Sequence, residues 1–341
     1  MHRLISSVLA VLVLAACANP KASEVRFYTW DSYDDPELFA EFEKKTGIKV
    51  TATYFASNEE MLAKLMGGGG GYDLITPSDY MVSIMRVQGL LADLDKAAMP
   101  NLKNVDPRFK SLYYDPEMQN CVPYIYGLTG IAYDSERVKP APTSWAALWD
   151  PTQKGRIGML NDQREVFALA LQFLGLPASS KDPKHLEAAY AKLRDQKPLV
   201  RTYSSDNQKA LLISGELALA HAWSSDVNQA AEEKPSLRFA IPKEGGFIWM
   251  DTLCAVKGSP NAAAAMKLVD FLLEPANHAK AAVKLRGGLP NIPARKFLPE
   301  ELKKDPTVTG EEKLLKSLEW MHEVGEAAPV YDRFWTQLKA G

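Results

Sequence analysis

From residue 25 onward, short apolar runs alternate with amphipathic stretches. Residues 25–29, 48–54 and 73–76 read as strands, and the segments between them carry helix signals. Asp35 stands as an N-cap, Pro36 fits the first helical position, Glu37 falls in the first turn and Gly47 stops the run. Leu38, Phe39 and Phe42 give that helix its apolar stripe. Asn58 reads as the cap of a second helix carrying Met61, Leu62 and Leu65, and Ser78-Asp79 opens a third through Met85. Strands and helices alternating at this spacing predict a parallel sheet with crossover helices.

Residues 90–122 are irregular and punctuated by proline, and 122–133 form a long stretch of low charge that reads as a crossing between lobes. Helices are predicted from Thr143-Ser144-Trp145 through Leu148, over 166–174 up to Gly175, over 185–193 after Asp182-Pro183, and over 206–213, 226–233, 261–273 and 311–324. Strands are predicted at 156–160, 218–223 and 252–256. The run Phe247-Ile248-Trp249-Met250-Asp251 follows a Pro/Gly turn at 242–246. In an extended chain Trp249 and Asp251 share a face. A ring beside an anion suits an organic ammonium; a core tryptophan followed by a turn-capping aspartate reads equally well from these five residues.

At 341 residues the chain exceeds the usual size of one core. Two α/β lobes are expected, residues 25–128 plus 250–295 and residues 129–249 plus 296–341. Apolar residues make up 46% and charged residues 24%, ordinary for a globular chain. The formal charge of −2 has no basic excess, so nucleic acid is not indicated as a partner.

The N-terminus changes the picture more. His2 and Arg3 precede an apolar stretch over 4–14, too short to remain as a spanning helix, and Leu14-Ala15-Ala16-Cys17 ends it. Residues 1–16 read as a signal peptide and resemble a bacterial lipobox, with Cys17 as the lipidated first residue and 17–24 as a tether. A signal cut after an alanine is the other reading. Export permits a disulfide between Cys121 and Cys254, and the spacing leaves that pairing open. The two lie far apart without neighbouring Cys or His, which argues against zinc. No metal or cofactor is implied.

Aromatic and acidic residues recur at the predicted strand ends: Trp30/Asp31/Tyr33, Tyr80, Asp162/Glu165, Trp223/Asp226 and Trp249/Asp251. In open α/β sheets, ligands lie beyond the carboxyl ends of strands, where all five clusters are expected. Each residue also has a plain structural reading. Asp162-x-x-Glu165 before an apolar run is a capping-box pattern, and strand tryptophans are usually core. Five glycines at 67–71 lack a following Lys-Ser or Lys-Thr and precede a strand, so they read as a surface loop, not a phosphate cradle. His185, His221, His278 and His322 pair with no nucleophile and read as structural or solvated.

Several motifs together resemble the polyamine-binding receptors of bacterial ABC importers. They are Tyr28-Thr29-Trp30 with Tyr33, Tyr72-Asp73-Leu74 with Pro77-Ser78 and Tyr80, Arg164-Glu165-Val166-Phe167, Ser205-Asp206-Asn207, and Pro242-Lys243-Glu244-Gly245-Gly246 with Trp249-Met250-Asp251. The likeness covers residues 25–340, including Ala294-Arg295-Lys296. It implies the two-lobed α/β type II periplasmic binding protein fold, with a polyamine clamped between the lobes of a monomer and delivered to permease subunits. By this resemblance Trp30, Tyr33, Tyr80, Trp223 and Trp249 wall the methylene chain. Asp162, Glu165 and Asp251 take the ammonium groups, Ser78 and Ser205 add polar contacts, and Asp226 falls where the family varies. Asp31 stands where relatives tend to carry Thr or Ser. Met321 occupies a place where spermidine-preferring relatives carry glutamine and putrescine-preferring ones an apolar residue. The carboxylate count leans toward spermidine.

Two other classes compete. A glycosidase would use two of Asp162, Glu165 and Asp251 with aromatic sugar platforms, but no pair is positioned for it by sequence, and the lipobox suits transport. A receptor of the same fold for a sugar or a hard metal ion is the other; a metal site needs oxygen ligands without rings.

Overall fold

The computed structural model of the chain describes residues 24–68 and 70–340. The signal peptide, Cys17 and the tether up to Ser23 lie outside the described residues. Among the described residues ten strands form one curled sheet: β1 (Glu24–Trp30), β2 (Lys49–Phe55), β3 (Leu74–Ile75), β4 (Cys121–Asp134), β5 (Ile157–Met159), β6 (Val200–Tyr203), β7 (Leu219–Trp223), β8 (Leu237–Ala240), β9 (Gly246–Ala255) and β10 (Leu318–Trp320). Their order is β2-β1-β3-β9-β4-β7-β5-β6, with β10 beside β9 and β8 beside β4.

The predicted parallel pairing holds within each end of the sheet, where β2, β1 and β3 run parallel, as do β6, β5 and β7. Between them the sheet is antiparallel: β3 with β9, β9 with β4, and β4 with β7. At about 3.3 Å per residue, the 14 residues of β4 extend roughly 45 Å, long enough to serve both lobes. β4 is the crossing that its low charge predicts. β9 is a second crossing, one continuous strand where the sequence reads an apolar run followed by a separate strand.

Helices pack on both faces: α1 (Pro36–Thr46), α2 (Asn58–Met66), α3 (Asp79–Val87), α4 (Gln163–Phe173), α5 (Pro183–Gln196), α6 (Gln208–Ser214), α7 (Ser224–Glu233), α8 (Ala262–Leu272) and α9 (Pro275–Leu285). Asp35 caps α1 through bonds from the amides of Glu37 and Leu38, and Gly47 closes it in the left-handed region at φ 72°. Ser57, not Asn58, caps α2; its hydroxyl accepts from the Glu60 amide. This frees the Asn58 amide for another task. Residues 143–148 tighten into a 3₁₀ turn, Trp145–Trp149.

The predicted helix at 311–324 does not form. A single turn at Glu312–Leu315 gives way to β10, which joins β9 in parallel register. The pairing rewards an extended chain there, because Leu318 and Trp320 then pack against the apolar residues of β9. A C-terminal helix, Ala328–Ala340, lies beyond the predicted elements.

One core gathers Phe27, Leu38, Phe42, Leu74, Leu253 and Phe271. Another gathers Ile131, Trp145, Phe167, Leu193, Leu219 and Tyr331. Leu298, Leu302 and Val308 pack in the first of these, beyond the 295/296 handover that the sequence suggests. Cys121 and Cys254 face each other across β4 and β9 with Cα atoms 4.4 Å apart, the close spacing of a non-hydrogen-bonded antiparallel pair, and they form a disulfide. Among the described residues no helix is long and apolar enough to cross a membrane.

Candidate ligand-binding site

A cavity of about 530 Å³ opens between the two parallel ends of the sheet. Its wall includes Trp30, Asp31, Tyr33, Ser78, Tyr80, Asp162, Glu165, Ser205, Trp223, Asp226, Trp249, Asp251 and Met321. All thirteen residues singled out by sequence therefore meet in one space.

Four of the five aromatic and acidic clusters lie at or just past the ends of β1, β3, β5 and β7, as expected. The fifth does not. Trp249 and Asp251 sit mid-strand in β9. β9 runs antiparallel to β3, and Asp251 bridges to Ser78, which follows β3. The middle of the crossing strand is thus level with the carboxyl end of β3, and the same wall is completed from a different direction.

Asp251 is held as an acceptor. Tyr33 donates to its Oδ2 at 2.5 Å and the Ser78 hydroxyl to its Oδ1 at 2.7 Å. Ser78 begins α3 but makes no side-chain cap bond; its hydroxyl goes to Asp251 instead. The amide that Asn58 keeps free donates to Ser78 Oγ at 3.1 Å, and Asn58 Oδ1 accepts from the Ser78 backbone at 3.0 Å. Burial pushes Asp251 up to about 6, against the bonds from Tyr33 and Ser78 that favour its anion.

Glu165 is gripped from the other lobe. Its Oε1 accepts from Thr129 Oγ1 at 2.9 Å and from the Trp223 indole at 3.0 Å, while Oε2 has no partner and lies 3.6 Å from the buried His221 ring. Asp162 caps α4 through the Arg164 and Glu165 amides at 2.8 and 3.0 Å. Only that half of the capping box forms. The Glu165 side chain turns into the cavity wall in place of reaching back to the cap. Burial and the neighbouring Glu165 carboxylate raise Asp162 well above the usual carboxylate range.

The aromatic wall is equally particular. Trp249 lies across Gly127 of β4, its register partner; a Cβ built at Gly127 would come within 2.0 Å of the indole. Trp30 packs edge-on against Phe55 at 4.5 Å. Tyr80 donates to Glu59 at 3.0 Å, and the Arg164 guanidinium stands 5.4 Å from its ring centre. One face of Tyr80 therefore already carries a cation. Met321 is buried, Ser205 accepts from the Asn161 amide at 3.1 Å, and Asp31 is exposed at the rim.

A model of the family described as bacterial extracellular solute-binding protein matches residues 37–310. The chain is a bacterial extracellular solute-binding protein. It is 37% identical to the spermidine/putrescine-binding periplasmic protein of Escherichia coli (strain K12), over 100% of this chain and 98% of that one. Among solved structures, it resembles the spermidine/putrescine ABC transporter substrate-binding protein PotD from Streptococcus pneumoniae at 32% identity and TM-score 0.82, covering 94% and 99% of the two chains. It also resembles the Tp0655 (TpPotD) lipoprotein of Treponema pallidum at 28% identity and TM-score 0.84, covering 92% and 99%.

The solute-binding protein also has cavity residues that sequence reasoning passed over. Asp79 was legible only as a helix start. It is buried on the cavity wall, accepts from Tyr113 at 3.1 Å, and is pushed up to about 8 by burial. Lys209 was legible only as a polar position on α6, yet it reaches the cavity, donating to Gln229 at 2.8 Å. Asn58, Glu60 and Asp206 also line it. His278 is structural as expected: its Nε2 faces the Tyr124 carbonyl at 2.6 Å, and burial pushes it down to about 4. His221, also buried, stands directly behind Glu165. Among the described residues no group of three His, Cys, Asp or Glu side chains converges to hold a metal ion.

Proposed function

We propose that this solute-binding protein captures a polyamine, spermidine or putrescine, in its inter-lobe cavity and delivers it to the permease of an ABC importer. The observation that carries this reading is the pair of braced carboxylates. Asp251, held by Tyr33 and Ser78, and Glu165, held by Thr129 and Trp223, look into one cavity walled by Trp30, Trp223 and Trp249. A polyamine is a row of ammonium groups separated by methylenes. Its cations take charge-assisted hydrogen bonds, roughly 1.5–3 kcal/mol each, and its carbon chain lies on flat rings. The names of the relatives at 37% and 32% identity support the same ligand class.

On this reading Trp30, Tyr33, Tyr80, Trp223 and Trp249 line the chain, and Asp162, Glu165 and Asp251 meet the ammonium groups. Ser78, Ser205, Asp31, Asp226 and Met321 tune the fit. The lobes are residues 25–128 with 250–295, joined by the segment up to 320 that packs with them, and 129–249 with 321–340. They close on the ligand as a monomer, excluding water and strengthening the ion pairs. Export by residues 1–16 and lipidation at Cys17 hold the receptor at the extracytoplasmic face, supported by the lipobox and by the lipoprotein relative. Family membership favours binding over catalysis.

Tryptophan fluorescence tests this directly. The mature chain, unfolded and refolded to strip carried ligand, is titrated with putrescine, spermidine, cadaverine, agmatine and maltose. Saturable quenching or enhancement by an amine, with none by the sugar, is the expected result. A response to the sugar alone overturns the reading.

A further inference from the structure

Among the described residues that line the cavity, Lys209 is the one cation, set among eight carboxyl side chains including Asp206, Asp226 and Asp251. Its position is fixed. Its Nζ donates to Gln229 Oε1 at 2.8 Å, and Gln229 Nε2 in turn donates to the Leu285 carbonyl of α9 at 3.0 Å. A residue of α6 is thereby tied, through α7, to a helix on the opposite side of the cavity. Burial pushes Asp226 up to about 6 even though the Lys209 charge favours its anion. Asp206 and Asp226 line the cavity with this lysine, so a cation already stands among the acids of that wall.

We propose that Lys209 is a resident competitor for one ammonium position of the cavity and limits the number of ammonium groups that a bound polyamine can place there. This inference rests on the polyamine reading given above. A ligand with two ammonium groups can be met by Asp251 and by the Asp162/Glu165 pair, whose hydrogen-bond partners do not include Lys209. A ligand with three or four must place a cation close to a fixed like charge, which costs affinity in a partly desolvated site. The sequence-level count of carboxylates, which leans toward spermidine, omits this cation.

The test compares the dissociation constants of putrescine, spermidine and spermine in the refolded mature chain and in Lys209→Met, which keeps an unbranched stem and removes the ammonium. The expected result is a gain for spermidine and spermine, relative to putrescine, of about tenfold or more. Lys209→Arg, which keeps the charge, should leave the ratio near that of the unsubstituted protein. Adding Asp226→Asn to Lys209→Met should remove the gain, since it withdraws a carboxylate that the additional ammonium would meet on that wall. If the unsubstituted chain binds none of the three amines, the polyamine reading fails and this inference with it. If it binds them and the ratio does not move in Lys209→Met, or moves equally in Lys209→Arg, the inference alone is overturned. A uniform loss for all three ligands would assign Lys209 a purely structural role through Gln229, and would overturn it too.

Discussion

Asp251 is a single side chain under two opposed influences. Two hydroxyl donors orient its oxygens, and burial opposes its ionisation. Removing the charge while keeping the shape, Asp251→Asn, should weaken amine binding by on the order of 2 kcal/mol, roughly 30-fold, with little change in melting temperature. Isothermal titration of the variant checks this, and unchanged affinity would remove Asp251 from the proposed site. The titration state of the cavity carries a second expectation. Asp226 and Asp251 are raised to about 6 and Asp79 to about 8, all by burial, from an unfolded value near 3.9. The native unliganded chain therefore holds protons that the unfolded chain has released. Its stability from these groups is fully present below about pH 4 and is lost as pH rises through 6 and 8. A cationic ligand prefers the ionised carboxylates, so its affinity should rise over the same window. Melting curves at pH 5 and pH 8 should show a larger ligand-induced increment at pH 8, together with proton release on binding near pH 6. Equal increments would contradict the buried-acid account.

Elements decide what those residues can reach. The Asp162-x-x-Glu165 motif announces a helix start, and Asp162 does cap α4. The same motif hides Glu165, because the hydroxyl and indole that hold it come from β4 and β7. Asn58 is misread as a cap for a similar reason; Ser57 serves, and the Asn58 amide supports Ser78. In β4 and β9 the controlling feature is the absence of a side chain. Gly127 has no positive φ to accommodate, so its requirement is purely one of space against Trp249. Gly127→Ala should displace the indole, costing about 1–3 kcal/mol of stability by overpacking and weakening amine binding together. Thermal unfolding and a shift in tryptophan emission measure both. An alanine variant with normal emission would show that the strand yields and the indole stays.

For the molecule as a whole, the organising fact is that two long antiparallel strands join the two parallel ends of one sheet. β4 and β9 carry residues of both cores and the centre of the cavity wall, and Cys121–Cys254 staples them across a separation of 133 residues. The double substitution Cys121→Ala with Cys254→Ala should lower stability by about 2–5 kcal/mol, the range for removing a bridge that closes a long loop. Chemical denaturation of the two proteins checks the figure, and equal midpoints would show that the strand ladder alone aligns the crossing. Binding should survive this change at temperatures where the variant stays folded, since the disulfide does not line the cavity.

Read alone, the chain determined its own local units: capped helices, apolar strands, and the kinds of side chain standing at strand ends. Those patterns span a few residues and follow from backbone sterics and periodicity, so they are written wherever the residues are. Only the tertiary structure decided that β9 crosses beside β4, that residues 318–320 extend instead of coiling, that two distant cysteines pair, and that Lys209 enters an acidic cavity. Tyr33 and Ser78 meet Asp251 across separations of 218 and 173 residues. Contacts of that range have no periodicity to betray them; they exist because the sheet fixes where each strand ends.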